Sequence, residues 1–422
     1  MRQYKDSGIE WIGKIPETWD IKRLKEIFVE RNNRDAKGKT LLSVSQYYGI
    51  KPKAETDIAD SHVAESYDDY KVVEKGDFVM NIMLAWNGSY AVSDYEGIVS
   101  PAYCVYQFRK ECCHKFLHYL LRTDGYQTAF KTMSRGIIDS RLRLYPEQFY
   151  TFNTIFPPVS DQQRIADYLD TKCGEIDSLI GLQEQMIEKL KAYKQSVISE
   201  AVTKGLDPNA KLVPSGIDWI GEIPEAWSKD KVIRCFSTIG SGTTPKSTDD
   251  NLFQGDINWL QSGDINGGDL FEASKHISKE TLSSYSALSV YQAPFIIIAM
   301  YGASVGNISI SHIDACVNQA CCVMSGCKLD FNYAFFALKS AKPYLIYRAE
   351  GGGQPNISQD KIKTLWIPIP PLTEQQAIAS YLDEKCADID RLIGMKQRKI
   401  EKLKDYKKSV IYEAVTGKTI IE

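Results

Sequence analysis

Residues 157–203 and 370–416 are one stretch of sequence written twice. Thirty of the forty-seven aligned positions are identical at a constant offset of 213. Each copy opens on a proline pair, Pro157-Pro158 and Pro370-Pro371, and closes on IEKLKAYKQSVISEAVT or IEKLKDYKKSVIYEAVT. A period of about two hundred residues is far longer than a solenoid unit and marks duplication of a whole module. The chain is therefore read as two halves, each ended by this segment.

Each copy reads as one long helix. Proline cannot continue a preceding regular element, and Ser160 with Gln163, like Thr373 with Gln376, fits a capping box. Apolar residues then follow three-four spacing: Leu169, Cys173, Ile176, Ile180, Ile187, Leu190, Val197 and Ala201 in the first copy. The second has Leu382, Cys386, Ile389, Ile393, Ile400, Leu403, Val410 and Ala414. This is a heptad seam with polar breaks at Gln183, Lys194, Lys396 and Lys407. Gly205 and Gly417 stand where such helices stop. At about 1.5 Å per residue, roughly forty residues give a rod of about 60 Å. Two striped helices on one chain most simply bury their stripes against each other. Gly181 and Gly394 fall near the middle of the rods, and a mid-helix glycine costs about 1 kcal/mol relative to alanine. A close approach of two backbones or a kink would explain them, and neither fixes the direction of pairing.

A second doubled element starts each half. SGIEWIGKIPETW (Ser7 to Trp19) returns as SGIDWIGEIPEAW (Ser215 to Trp227), ten of thirteen positions being identical. Proline, glycine and two tryptophans in so short a run suggest an irregular aromatic clasp that docks on a neighbouring element. Between clasp and helix the halves diverge almost everywhere. Strand-like runs (DFVMNIMLAW from Asp77, APFIIIAMYG from Ala293) mix with helix-like runs (KFLHYLLRTDGYQTAF from Lys115, FNYAFFALKSAKPYLI from Phe331). The expected class is α+β: two globular domains of similar frame and different face. The expected boundaries are 1–155 and 207–368 for the domains, with the clasps at 7–19 and 215–227, and 156–206 and 369–422 for the helical repeats.

The segments just before the proline pairs are the strongest candidates for a binding surface. Arg135, Arg141 and Arg143 stand in the first, Gln354 and Asn356 in the second. Arginine pairs with guanine, and Asn or Gln with adenine, in a DNA major groove; the competing reading is a surface loop whose arginines only meet carboxylates. GSGTTPKS (Gly240 to Ser247) fails as a nucleotide-binding loop because Pro245 stands where the cradle needs glycine. Its Thr243, Thr244 and Lys246 could still touch a DNA phosphate. Cys316, Cys321, Cys322 and Cys327, and the group Cys112, Cys113, His114 and His118, read as packing and not as metal ligands. Asp383-Glu384-Lys385 lacks the rest of a nuclease site, and no methyltransferase motif is present, so no catalytic set is expected. The lysine-rich face from Lys396 to Lys408 reads as solvated, or as a path for a partner or a DNA backbone.

Composition limits the classes further. A net charge of −3 confines nucleic-acid contact to local patches. The apolar run Ala293 to Tyr301 is too short to cross a bilayer, and ten cysteines without a secretory leader point to a reducing, cytoplasmic setting.

Together these features resemble the specificity subunit of Type I restriction-modification systems. The resemblance rests on the doubled SGIxWIGxIPExW, PPxxxQQxIAxYL and IEKLKxYKxSVIxEAVT, with GDINWLQSGDI (Gly255 to Ile265), GNISI (Gly306 to Ile310) and VNQA (Val317 to Ala320). It implies two target recognition domains separated by an antiparallel coiled coil with an internal pseudo-twofold repeat. Each domain would read one half of a bipartite double-stranded DNA site. The coiled coil would set the spacer and dock two methyltransferase subunits, which endonuclease–translocase subunits join. S-adenosylmethionine, ATP and Mg would belong to those partners, with no cofactor, metal or catalysis in this chain. The alternative is a coiled-coil scaffold with two protein-binding domains.

Overall fold

The apolar runs of each half become the central strands of a sheet, buried where they meet helices. The computed structural model describes residues 3–34, 38–46, 49–56, 67–136, 138, 141–246, 248–350 and 355–421. The chain divides into two units, 1–184 with 398–422, and 185–397.

In the first unit a four-stranded antiparallel sheet has the order Phe28–Arg31, Tyr103–Phe108, Phe78–Asn81, Tyr90–Val92. Phe28, Phe78, Tyr90 and Tyr106 are fully buried against Phe116, Phe130 and Phe149. The helix-like run after Lys115 is two helices, His114–Leu121 and Asp124–Met133, broken at Arg122-Thr123. In the second unit the sheet order is Phe236–Gly240, Cys321–Cys327, Phe295–Ala299, Ile308–Ser311, with Asp269–Leu270 added in parallel. Its helical run also breaks in two, Phe331–Ser340 and Lys342–Tyr347. The first four strands of the second unit thus repeat the order of the first. The register carries the match further: Tyr103 faces Asn81 as Cys321 faces Ala299.

Each clasp is a small antiparallel pair, Tyr4–Asp6 with Lys14–Pro16 and Leu212–Pro214 with Glu222–Pro224. Trp19 is 1% exposed and Trp227 7%. Each indole N–H donates to a carboxylate in the first turn of its unit's long helix, Trp19 to Asp161 at 3.1 Å and Trp227 to Glu374 at 2.9 Å. The other side of each clasp meets a helix end. Tyr412 Oη donates to the Trp11 carbonyl, and Ile198, Ala201 and Val202 pack with Ile220, Ile223 and Trp227.

The long helices are Val159–Lys204 and Leu372–Val415, about 69 and 66 Å long at about 1.5 Å per residue. Leu169, Ile176, Ile187, Leu382, Ile389 and Ile400 are buried, while Ile180, Leu190, Val197, Ile393, Leu403 and Val410 are half-buried. Near the first helix's C-terminus the buried stripe moves to Ile198, Ala201 and Val202, because there the helix packs on a clasp. Within the first unit Lys407 Nζ meets Asp177 at 2.7 Å; within the second, Lys194 Nζ meets Asp390 at 2.5 Å. These are the same pair in the repeat, each residue standing at the repeat offset of 213 from its counterpart. In each unit the contacting helix segments run in opposite directions: Lys407 meets Asp177 while Val415 clusters with Leu169.

Two expectations about the helices are corrected. The capping boxes at Ser160/Gln163 and Thr373/Gln376 do not form. Pro158 and Pro371 carbonyls accept the first helical N–H groups, which places Ser160 and Thr373 inside the first turn. Gln163 Nε2 donates instead to Asp167. The neighbouring glutamines hold the helix starts: Gln162 Nε2 donates to the Pro157 carbonyl while its Oε1 accepts the Cys113 N–H. Gln375 makes the matching bonds to Pro370 and Asp330. The mid-helix glycines mark no close approach at Gly181, where a Cβ would meet nothing within 4 Å. Both helices continue through their glycines.

Candidate nucleic-acid interface

In the first unit the arginine segment folds into a short hairpin. Arg135 and Arg143 exchange both backbone hydrogen bonds at 2.9 Å, which places their side chains directly opposite each other. Gly136, at φ +153°, turns the hairpin where a Cβ would press on the Arg141 carbonyl at 2.5 Å. Leu142 and Leu144 are buried, and the Leu144 N–H donates to the Ile82 carbonyl at 2.9 Å, which anchors the hairpin at the end of the sheet's Phe78–Asn81 strand. Arg135, Arg141 and Arg143 stay exposed, and among the described residues none pairs with a carboxylate. Like charges directly opposite on a ladder repel by about 0.2–1 kcal/mol. A polyanion would relieve that repulsion.

Another arginine of the first unit, Arg122, is half-buried. Its Nη2 donates to the carbonyls of Gln46 and Gly88, both at 2.7 Å, and ties two loops together. Burial pushes its pKa down, yet a guanidinium remains charged. Nη1 lies 3.2 Å from His118 Nε2. Burial, then the Arg122 charge, pushes His118 down to about 4, so the imidazole is neutral and accepts.

In the second unit the equivalent hairpin pairs Glu350 with Asn356 through two backbone hydrogen bonds, 3.0 and 2.8 Å. The Ile357 N–H donates to the Met300 carbonyl at 2.7 Å, the counterpart of Leu144 on Ile82. Asn356 is exposed; Gln354 lies outside the described residues. The Met300 N–H donates to Ala320, so one residue joins the hairpin to the turn Val317–Ala320. The loop 240–246 is laid over that turn. A Cβ on Gly242 would sit 1.8 Å from the Val317 carbonyl oxygen, so only glycine fits. Trp259 Nε1 donates to the Thr243 carbonyl, Tyr291 Oη to Ser241, and Thr244 Oγ1 to Gln319 Oε1 at 2.5 Å. The Lys246 N–H donates to Tyr285 Oη while its side chain stays exposed. Thr244, Lys246 and Asn356 are thus carried on segments braced together at one end of the sheet, with Thr243 committed through its carbonyl. Lys339, half-buried, donates to the Gly267 carbonyl at 2.9 Å, a loop tie like that of Arg122. Burial pushes its pKa down.

Comparison with known proteins decides the family. Its model, described as the Type I restriction modification DNA specificity domain, matches residues 16–192 and again 228–405. The chain belongs to this family. It is similar to the putative type I restriction enzyme MjaX specificity subunit of Methanocaldococcus jannaschii, 26% identical over 96% of this chain and 95% of the relative. The MjaVIII specificity subunit of the same organism is 25% identical over 99% and 97%. Among solved structures, a chain described under complex assembly and conformational transition of the type I R-M system superposes with a TM-score of 0.71 at 19% identity, covering 96% of this chain and 99% of that one. The HsdS subunit from Thermoanaerobacter tengcongensis gives 0.50 at 19%, covering 96% and 98%.

As a member of this family the chain is a DNA-specificity subunit, and its other motifs fall into place around that role. Cys321 and Cys322 are buried on the five-stranded sheet and Cys316 on a strand paired with Ile257–Leu260, and burial pushes the Cys316 thiol up to about 11 and Cys322 to about 12. Among the described residues no group of three or more His, Cys, Asp or Glu side chains is placed to hold a metal ion, and no helix is long and apolar enough to cross a membrane. Lys407 leaves the lysine-rich face to pair with Asp177, while Arg398, Lys399, Lys402 and Lys404 stay exposed. Sequence reasoning missed Arg122, Lys339 and Gln319. VNQA had been visible as a motif, but nothing in it said which side chain faces outward.

Proposed function

We propose that each unit reads one half of a bipartite, asymmetric DNA site, and that the chain itself carries out no catalysis. The observation that carries this reading is the pair of equivalent hairpins. One frame presents Arg135 and Arg143 in the first unit, and Glu350 and Asn356 in the second. Two frames of one origin with different reading chemistry suit two different half-sites. The first hairpin offers two guanidinium forks to guanine edges or phosphates; the second offers an amide, which suits adenine. Lys246 adds a contact to the DNA backbone beside it, while the Thr244 hydroxyl hydrogen is already given to Gln319. Gln354 belongs to the same proposal from its sequence position.

The two long helices, in this reading, form an antiparallel coiled coil that sets the unread spacer and docks two methyltransferase subunits. The matched Asp177–Lys407 and Lys194–Asp390 pairs and the opposed direction of the helix segments within each unit support it. S-adenosylmethionine, ATP and Mg are assigned to the methyltransferase and endonuclease–translocase partners, and the assembly to the cytoplasm. The net charge of −3 fits a reader that gains grip on DNA from those partners, since phosphate contacts dominate affinity.

The test is selection from a random-sequence duplex pool by the chain assembled with a type I methyltransferase subunit. A two-part motif with a fixed gap is the expected result. Retention without sequence preference would leave a protein-binding scaffold as the better account.

A further inference from the structure

Between the sheet strands of the second unit lies a turn whose one outward side chain is held still. Val317, Asn318 and Ala320 are buried, and Gln319 is exposed. The turn is fixed from several sides. The Asn318 N–H donates to the Leu260 carbonyl, Asn318 Oδ1 accepts the Ala320 N–H, and the Ala320 carbonyl accepts the Met300 N–H. Ser241 Oγ donates to the Cys321 carbonyl at 2.7 Å, and Gly242 lies against Val317.

We propose that Gln319 is a base-reading residue of the second unit and that Thr244 is its positioning partner. This rests on the DNA-reading function proposed above and names a reader within it. Thr244 Oγ1 donates to Gln319 Oε1 at 2.5 Å, which orients an otherwise freely rotating amide. Among the described residues Gln319 Nε2 has no partner, so both of its N–H groups are open to solvent and free to meet a ligand. The second lone pair of Oε1 is also open. One donor and one acceptor side by side match adenine, whose N7 accepts and whose N6 amino group donates. A side chain held in place by its neighbours loses little conformational freedom on binding, which is what a discriminating contact needs.

The first unit supplies the contrast. By strand register, with Tyr103 on Asn81 as Cys321 is on Ala299, Gln319 corresponds to Pro101. Proline has no side-chain donor or acceptor. The same turn therefore reads in one unit and only connects in the other.

The experiment compares wild type, Gln319→Ala, Gln319→Glu and Thr244→Val, each assembled with a type I methyltransferase subunit, by sequencing the duplexes retained from a random pool. Wild type should require adenine at one position of one half-site. Gln319→Ala should lose that preference about ten-fold or more at that base pair alone. Gln319→Glu keeps the size and the Thr244 contact but has no donors, and should lose adenine equally. Thr244→Val should relax the same position part-way. Glutamine variants that retain the wild-type site, or that alter both half-sites, would overturn the proposal. So would an unchanged site for Thr244→Val if the glutamine variants fail to fold. A wild-type assembly that selects no sequence would instead overturn the underlying function.

Discussion

The hairpins Arg135–Arg143 and Glu350–Asn356 hang from matching strands, through Leu144 on Ile82 and Ile357 on Met300, yet their exposed side chains have little in common. Around them the contrast continues. The first unit puts cationic forks on the hairpin and Pro101 in the neighbouring turn; the second puts Glu350 on the hairpin and an amide, Gln319, in the turn. The difference teaches where variation is tolerated. Residues that fasten a loop to the sheet are apolar and buried in both units, while the positions beyond them carry no packing and can change charge outright.

The comparison first predicts that the frames are equivalent. Trp19→Ala and Trp227→Ala should each cost about 3–5 kcal/mol through lost packing, with the loss confined to the unit that holds the tryptophan. Hydrogen exchange that rose in both units, or in neither, would break the equivalence. The faces should differ. Arg135→Ala with Arg143→Ala should weaken the first half-site by about 1–3 kcal/mol per base contact. If the arginines instead bind phosphate, the salt slope should fall by about 0.9 per contact. The second half-site should stay as it was, and an effect there would show that the hairpins do not read separately.

Smaller effects sharpen the picture. Double-mutant cycles at Asp177–Lys407 and at Lys194–Asp390 should give couplings of about 0.2–1 kcal/mol, since the aspartates are largely solvated. The two values should agree; a large disparity would argue against a repeated rod. The smallest effect is a pH dependence present in one unit alone, because His118 follows the first unit's helix start where Phe335 follows the second's. A histidine held at about 4 when folded and near 6.5 when unfolded takes up its proton more readily in the unfolded state. Its contribution is intact above the unfolded value and is lost as pH falls from 6.5 towards 4. The wild-type melting temperature should therefore drop more steeply over that window than that of His118→Phe; parallel curves would remove His118 from the account.

Much of this architecture is legible in the sequence because duplication labels it. Twin proline pairs, twin clasps and twin seams place the long helices within a few residues of Val159–Lys204 and Leu372–Val415. The segments before the prolines are visible as candidate readers because arginines and glycines cluster there. What escaped depends on three-dimensional neighbours. Two adjacent glutamines follow each proline pair, and only the path of the chain leaving Pro158 or Pro371 decides that Gln162 and Gln375 turn inward. Arg122 and Lys339 look like solvated charges inside helical runs, and their burial under loop carbonyls leaves no local trace. Gly181 suggested contact where the structure has open space.

The division of the chain also bears on how it is made. The core of the first unit includes Ala414 and Val415, both fully buried beside Trp19 and Leu169, whereas the second unit is one unbroken stretch from 185 to 397. A ribosome delivers the second unit whole before it delivers the last piece of the first. The segment 1–184 thus cannot finish folding until residues after 397 have been made, and a stop codon near position 398 would injure a unit whose other part lies more than two hundred residues upstream.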